Sequence, residues 1–336
     1  MGDEEGGDLQ GQIETFGRLY DAIAGQLAKV IVGHQQAAGE VLTCIISGGH
    51  ALLEGVPGLG KTLLVRTLAD ALDLGFSRIQ FTPDLMPADI TGTSIVESDE
   101  AGAKSFRFQP GPIFANLVLA DEINRATPKT QSAVLEAMQE HTVSVARTTH
   151  RLPEPFFVLA TQNPLEMEGT YPLPEAQLDR FMLKVLVGSP DVDQLVGILD
   201  RTTGSDVPKA AAVADARGVL GMQELVRRVP AAQAVKNYVA RIVRATHPEA
   251  ELAPAQTRKY VRYGSSPRGA QAILLAAKVR ALRANRSNVA FEDVRAVVAP
   301  ALRHRLILSF EGQADGVVAD DLLAEIVRSL PQARDA

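Results

Sequence analysis

With 336 residues, 46% of them hydrophobic and 22% charged, the chain can bury a sizeable core and is long enough for two domains. A net charge of −6 argues against a general polyanion binder, and the single cysteine, Cys44, excludes an intramolecular disulfide and a cysteine-based zinc site. No apolar run approaches the roughly 18 residues of a membrane span, and the amino terminus lacks the basic and apolar regions of a signal peptide, so a cytoplasmic protein without membrane insertion is expected.

Residues 1–10 are rich in Gly, Asp and Glu and read as a disordered acidic tail. Cys44 lies in the apolar run Val41-Leu42-Thr43-Cys44-Ile45-Ile46, the setting of a core residue rather than a nucleophile. Ala51-Leu52-Leu53 predicts a short buried strand, and Leu63 to Leu72 has helical spacing. Between them stands Gly55-Val56-Pro57-Gly58-Leu59-Gly60-Lys61-Thr62, which fits G-x-x-x-x-G-K-[ST], the loop that holds nucleotide phosphates. Its glycines let backbone N–H groups close on the β-phosphate, Lys61 reaches the β/γ oxygens, and the Thr62 hydroxyl can ligate Mg²⁺. The helix that Leu63 continues points its N-terminus at the same phosphates.

Beyond the P-loop, strand patterns recur at Ser77–Phe81, Leu117–Ala120 and Phe156–Ala160, with a helix predicted over Pro128–Glu140. This is a doubly wound α/β pattern. Two segments exceed it. Thr93–Glu97 and Ser105–Gln109 read as a hairpin around an Asp99–Gly102 turn, and a second hairpin is expected near residues 142–152. After Ser189-Pro190 the strand patterns stop, so the expected division is an α/β domain over 11–190 and an all-helical domain over 191–336.

The strand at 117–120 runs into Asp121-Glu122, 60 residues after Lys61. A P-loop sheet sets that strand end near the phosphates, where Asp121 can hold the Mg²⁺ shell and Glu122 can polarise the attacking water. The strand at 156–160 leads to Asn163, which either orients the water or γ-phosphate at the C-terminal edge of the sheet or caps a turn. Arg180 falls on a predicted short helix beginning at Pro174, and Arg268 opens a helix in the second domain. Each alone reads as a surface salt bridge, but with the other elements they look like a pair completing an oligomeric ATPase site. Between Thr257 and Arg305, eleven Lys and Arg residues outweigh Glu292 and Asp293 by nine charges, which suits a solvated face, a subunit contact or a nucleic-acid surface.

Read together, the motifs Ile31-Val-Gly-His-Gln35, Gly55–Thr62, Asp121-Glu-Ile-Asn-Arg-Ala126, Ala160-Thr-Gln-Asn-Pro164, Leu173-Pro-Glu-Ala-Gln-Leu-Asp-Arg-Phe181 and Ser266-Pro-Arg268 resemble the MoxR family of AAA+ ATPases. The resemblance implies a P-loop NTPase fold with a C-terminal lid and ATP with Mg²⁺ as cofactors. It makes Lys61, Thr62 and Asp121 the P-loop and Walker B positions, Glu122 the general base, Asn163 sensor 1, Arg180 a finger acting in trans and Arg268 sensor 2. The P-loop set, with Leu63, and the stretch ending in Val32 and Gly33 would surround the nucleotide, the latter bordering the adenine. It further implies a chaperone-like homo-oligomeric ring, usually a hexamer, that assembles or activates protein complexes. A von Willebrand factor A domain partner and an unspecified protein client go with that reading. A nucleic-acid motor or loader and a chelatase-type motor subunit are the alternatives.

Overall fold

The structure, a computed structural model, describes residues 2–56, 58–98, 104–163, 169–204 and 208–331. The helices α1 (Gly2–Val30) and α2 (Gln35–Ser47) precede β1 (Ala51–Glu54), which leads through the P-loop to α3 (Lys61–Leu72) and β2 (Phe76–Gln80). A single-turn α4 (Pro87–Thr91) opens the hairpin of β3 (Gly92–Ser98) and β4 (Lys104–Pro110). Next come β5 (Leu117–Asp121), a 3₁₀ turn (Ile123–Arg125), α5 (Pro128–Glu140), the hairpin of β6 (Thr142–Val145) and β7 (Thr148–Arg151), then β8 (Phe157–Gln162), α6 (Glu175–Leu178) and β9 (Leu183–Leu186).

The main sheet is parallel throughout, in the order β2-β5-β8-β1-β9. Its central strands are apolar without alternation because both faces are covered. Leu117 and Leu119 of β5 point into the larger core with α1, α2 and α3, whereas Val118 and Ala120 point into a second core with α5 and the β6–β7 hairpin. The C-terminal ends of β1, β5 and β8 therefore converge on one edge, where the P-loop, Asp121-Glu122 and Asn163 emerge.

The second part comprises α7 (Val192–Thr202), α8 (Ala216–Arg228), α9 (Gln233–Ala245), α10 (Ala255–Tyr260), β10 (Val261–Tyr263), α11 (Pro267–Arg283), α12 (Phe291–Leu302), β11 (Ile307–Leu308), α13 (Phe310–Ala314) and α14 (Ala319–Ser329). It is not all-helical as expected: β10 and β11 pair antiparallel, a strand so short that it carries no readable alternation. Nor does the chain division near 190 coincide with a division of the core. Residues of α1 and α2 pack in the same hydrophobic cluster as α8, α9, α11 and α12. At the amino terminus, helical backbone from Gly2 stands where a disordered tail was expected. The helix continues into buried Ile13, Phe16, Tyr20 and Ile23, spaced to anchor it on the core. The expected Asp99–Gly102 turn lies outside the described residues.

Candidate functional site

The P-loop is shaped by backbone dihedrals. Gly58 (φ 84°) and Gly60 (φ 74°) are left-handed, and a Cβ at either would meet nothing within 4 Å, so glycine is required there by conformation and the space in front of the loop is open. Gly55 is required by space instead, since a Cβ would come 2.8 Å from the Val187 carbonyl oxygen. Pro57 lies outside the described residues. Lys61 opens α3 and its Nζ donates to the Gly55 carbonyl at 2.7 Å, spanning the loop from behind. Burial lowers its pKa from the usual ammonium value, while the carboxylates of Asp121 and Glu122 pull the other way. Thr62 sits in the same first turn, half-buried.

A cleft of about 440 Å³ adjoins this loop, lined by Gly58, Leu59, Gly60, Lys61 and Leu63 on one side and by Ile31, Val32, Leu53 and Val187 on the other. Such a cavity, largely apolar with Lys61 at the loop and Arg201 on its α7 wall, suits a flat base attached to phosphates. Val32 lines it. Gly33 does not line it: its left-handed backbone (φ 77°) turns toward the Gln194 side chain, 2.7 Å from where a Cβ would stand. The cleft also takes Leu195, Ile198 and Thr202 from α7, which the sequence reading missed. The signal was present in the spacing Val192, Leu195, Val196, Leu199, an apolar stripe on a helix with no buried residue.

At the end of β5, Asp121 is buried; its Oδ1 accepts the Thr161 hydroxyl at 2.6 Å, and its Oδ2 receives Arg78 Nη2 at 2.6 Å and Nε at 3.1 Å. Glu122 leaves the strand in a left-handed conformation (φ 56°), which costs a non-glycine residue about 1 kcal/mol or more. Its N–H donates to the Thr161 hydroxyl at 2.8 Å, and its Oε2 accepts from Gln80 Nε2 at 2.8 Å and Arg125 Nη1 at 2.9 Å. These bonds hold the turned carboxylate in place. Asn163 is buried just past β8, one strand from Gly55, whose N–H donates to the Gln162 carbonyl. Arg78, Gln80, Arg125 and Thr161 were not singled out from sequence. Arg78 and Gln80 reach the carboxylates only through the β2–β5 register, which pairs Gln80 with Asp121.

The two arginines are elsewhere. Arg180 follows α6 and its Nη1 donates to the Leu135 carbonyl of α5. Arg268, on the first turn of α11, is 3.6 Å from Asp179. Both line a second cavity of about 190 Å³ together with Asp179, Met182, Gln271 and Arg305, and no P-loop residue borders it. Asp179 is the hub of this wall: it accepts from buried Arg305 at 2.8 Å and from the Ser266 hydroxyl at 2.8 Å, fastening the second domain beside Arg180.

Most of the basic tract is consumed inside the chain. Arg286 pairs with Asp293, Arg303 with Asp320, Arg305 and Arg268 with Asp179, Lys259 with Glu311 and Arg283 with Asp21, while Arg258 and Lys278 donate to backbone carbonyls. Eight of the eleven cations thus have partners that a phosphate backbone would have to displace.

A P-loop at the C-terminal edge of a five-stranded parallel sheet, with a carboxylate pair at the end of β5, one strand beyond β8, and a helical lid, defines a nucleotide-hydrolysing machine of the AAA class. Residues 50–183 match the ATPase family associated with various cellular activities (AAA), and residues 254–326 match the AAA lid domain. The chain is 42% identical to the Chaperone MoxR1 of Mycobacterium tuberculosis, over 91% of this chain and 81% of that one. It is 32% identical to the Protein MoxR of Paracoccus denitrificans, over 87% and 89% respectively. A crystal structure from Cytophaga hutchinsonii, provisionally described as an ATPase, superimposes with a TM-score of 0.91 at 38% identity, covering 98% of this chain and 99% of that one. The chain belongs to the MoxR family of AAA ATPases, and its reaction is ATP hydrolysis. Among the described residues no helix is long and apolar enough to cross a membrane.

Proposed function

We propose that the chain is one subunit of a cytoplasmic homo-oligomeric ring, a hexamer, in which ATP turnover assembles or activates protein complexes. In this reading Lys61 and the backbone amides of Gly58 to Thr62 bind the phosphates, Asn163 orients the attacking water, and Glu122 takes its proton. Thr62 and Asp121 would hold Mg²⁺. The donor set fits that ion: among the described residues there is no cluster of three or more His, Cys, Asp or Glu for a closed metal cage, and Mg²⁺ is ordinarily held by one or two carboxylates plus phosphates and water. Bound there, the metal would supply charge neutralisation on the phosphates.

The observation that carries the reading is the separation of Arg180 and Arg268 from the P-loop cleft of their own chain. Arg180 and Arg268, beside a small cavity that no P-loop residue borders, are suited to the γ-phosphate of a neighbour, and a finger of that kind contributes about 10³–10⁵ in rate. The name of the M. tuberculosis relative supports a protein client, and a von Willebrand factor A domain partner accords with the family resemblance. Internal pairing of the basic tract weighs against nucleic acid.

Mixing two inactive variants tests this reading. Lys61→Ala damages its own pocket but still offers Arg180, and Arg180→Ala has the opposite defect. Subunit exchange should therefore restore ATPase activity, whereas the double variant mixed with Arg180→Ala should restore none. Mixed rings demonstrated by native mass spectrometry without any return of activity would refute a finger in trans.

A further inference from the structure

We propose that Arg78 is a displaceable cation seated on Asp121, so that a metal–nucleotide complex gains this carboxylate only by dislodging the guanidinium. The inference rests on the reading of Asp121 as a metal-holding residue.

Both oxygens of Asp121 are engaged within the chain, and their partners differ in freedom. Thr161, on Oδ1, is fully buried on the central strand β8 and is fixed a second time because the same hydroxyl oxygen accepts the Glu122 N–H at 2.8 Å. Arg78, on Oδ2, stands on the edge strand β2 with 47% of its side chain exposed. Its Nη2 and Nε both converge on that single oxygen, at 2.6 and 3.1 Å. This is not the parallel two-oxygen fork that makes arginine–carboxylate pairs strong. A flexible, half-solvated guanidinium on one oxygen is the partner that can be displaced, since ion pairs at such exposure contribute little.

The contact does not end at Asp121. Arg78 Nη2 also donates to Gln80 Oε1 at 2.6 Å, and Gln80 Nε2 donates to Glu122 Oε2 at 2.8 Å. Asp121 and Glu122 are thus joined along the β2 edge by two side chains, and a guanidinium that leaves Asp121 also gives up the carboxamide that steadies Glu122. Until nucleotide arrives, Arg78 neutralises the buried Asp121 carboxylate and disfavours a cation there. Arg78 would accordingly set the free Mg²⁺ concentration at which the pocket fills.

The readout is binding, not turnover: anisotropy of a fluorescent N-methylanthraniloyl ADP, measured in EDTA and across a series of free Mg²⁺ concentrations. Arg78→Gln should reach half of its Mg²⁺-enhanced binding at roughly threefold or more lower free Mg²⁺, the scale set by a partly exposed ion pair. Arg78→Lys, which keeps the charge and the side-chain stem but not the paired donors, should shift less in the same direction and guards against a folding defect. Asp121→Asn should raise the Mg²⁺ requirement, and adding Arg78→Gln to it should change nothing further. An unchanged or increased Mg²⁺ requirement in Arg78→Gln overturns the proposal. So does a decrease that persists undiminished in the Asp121→Asn background, which would mark a general field effect. If Asp121→Asn alone leaves the Mg²⁺ dependence untouched, the reading of Asp121 as a metal-holding residue falls, and this proposal with it.

Discussion

Glu122 illustrates how a local rule is overridden at a functional position. A glutamate just after a strand prefers extended or right-handed backbone, yet it is held left-handed by Thr161, Gln80 and Arg125, so its carboxylate is aimed rather than left in solvent. Glu122→Gln should retain nucleotide affinity and lose about 10² or more in turnover, whereas Lys61→Ala should lose affinity; equilibrium binding and steady-state hydrolysis distinguish the two. Wild-type turnover in Glu122→Gln would remove it as the base. His50 carries a different constraint. Its Nδ1 accepts the Val158 N–H at 3.0 Å and its Nε2 lies 3.0 Å from the Met138 carbonyl, so the neutral ring is bonded on both sides, and burial pushes its pKa down to about 4. The unfolded chain takes up a proton near pH 6.5 that the folded chain refuses. The contribution of His50 is therefore complete above about pH 6.5 and is lost as pH falls to about 4, a difference of about 3 kcal/mol. His50→Gln, which keeps one donor and one acceptor, should flatten this part of the stability profile; an unaltered slope in denaturant titrations would contradict the assignment.

At the scale of elements, the hairpins owe their place to aromatic anchors rather than to the sheet. Phe108 of β4 stacks on His150 of β7 with ring centroids 3.8 Å apart and meets Phe114 edge-on at 5.5 Å, while Phe106, two residues away on the same face, is 82% exposed. Phe108→Ala should lower the melting temperature by roughly 2 °C, corresponding to about 1 kcal/mol of stacking, and Phe106→Ser should leave it unchanged. Exchanging residues 98–104 for a short Gly-Ser turn should likewise preserve the melting temperature and impair action on a client; a large drop would place the hairpin in the core. The P-loop, the strand ending in Asp121 and the helix over Pro128–Glu140 were legible because period and punctuation are properties of consecutive residues. The lid strands β10 and β11 were not, because three residues and two cannot display alternation, and pairing is decided by what α10 and α13 bring together.

For the whole molecule, the reading of Arg268 as serving a neighbouring chain has its own test. Arg268 shares a wall with Arg180 and not with the P-loop, so Arg268→Ala mixed with Lys61→Ala should recover ATPase activity as Arg180→Ala does. An arginine serving its own nucleotide would give no recovery, because every site in such a mixture would lack either its lysine or its arginine. Packing of α1 and α2 against the lid makes the two domains share one core, so Asp179, held by Ser266 and Arg305 of the lid, ties the turn carrying Arg180 to the lid itself. The sequence by itself determined the sheet-forming runs, the phosphate loop and the identity of the two carboxylates, because each is written in neighbouring residues whose spacing dictates conformation. Only the tertiary structure decided that Arg78 and Gln80 meet Asp121 and Glu122, that α7 walls the cleft, that Gly33 turns away from it, and that the basic tract is spent on internal pairs. Those outcomes depend on strand register, helix docking and charge partners far apart in the chain, such as Arg305 and Asp179, 126 residues from each other, and local pattern carries no record of such distances.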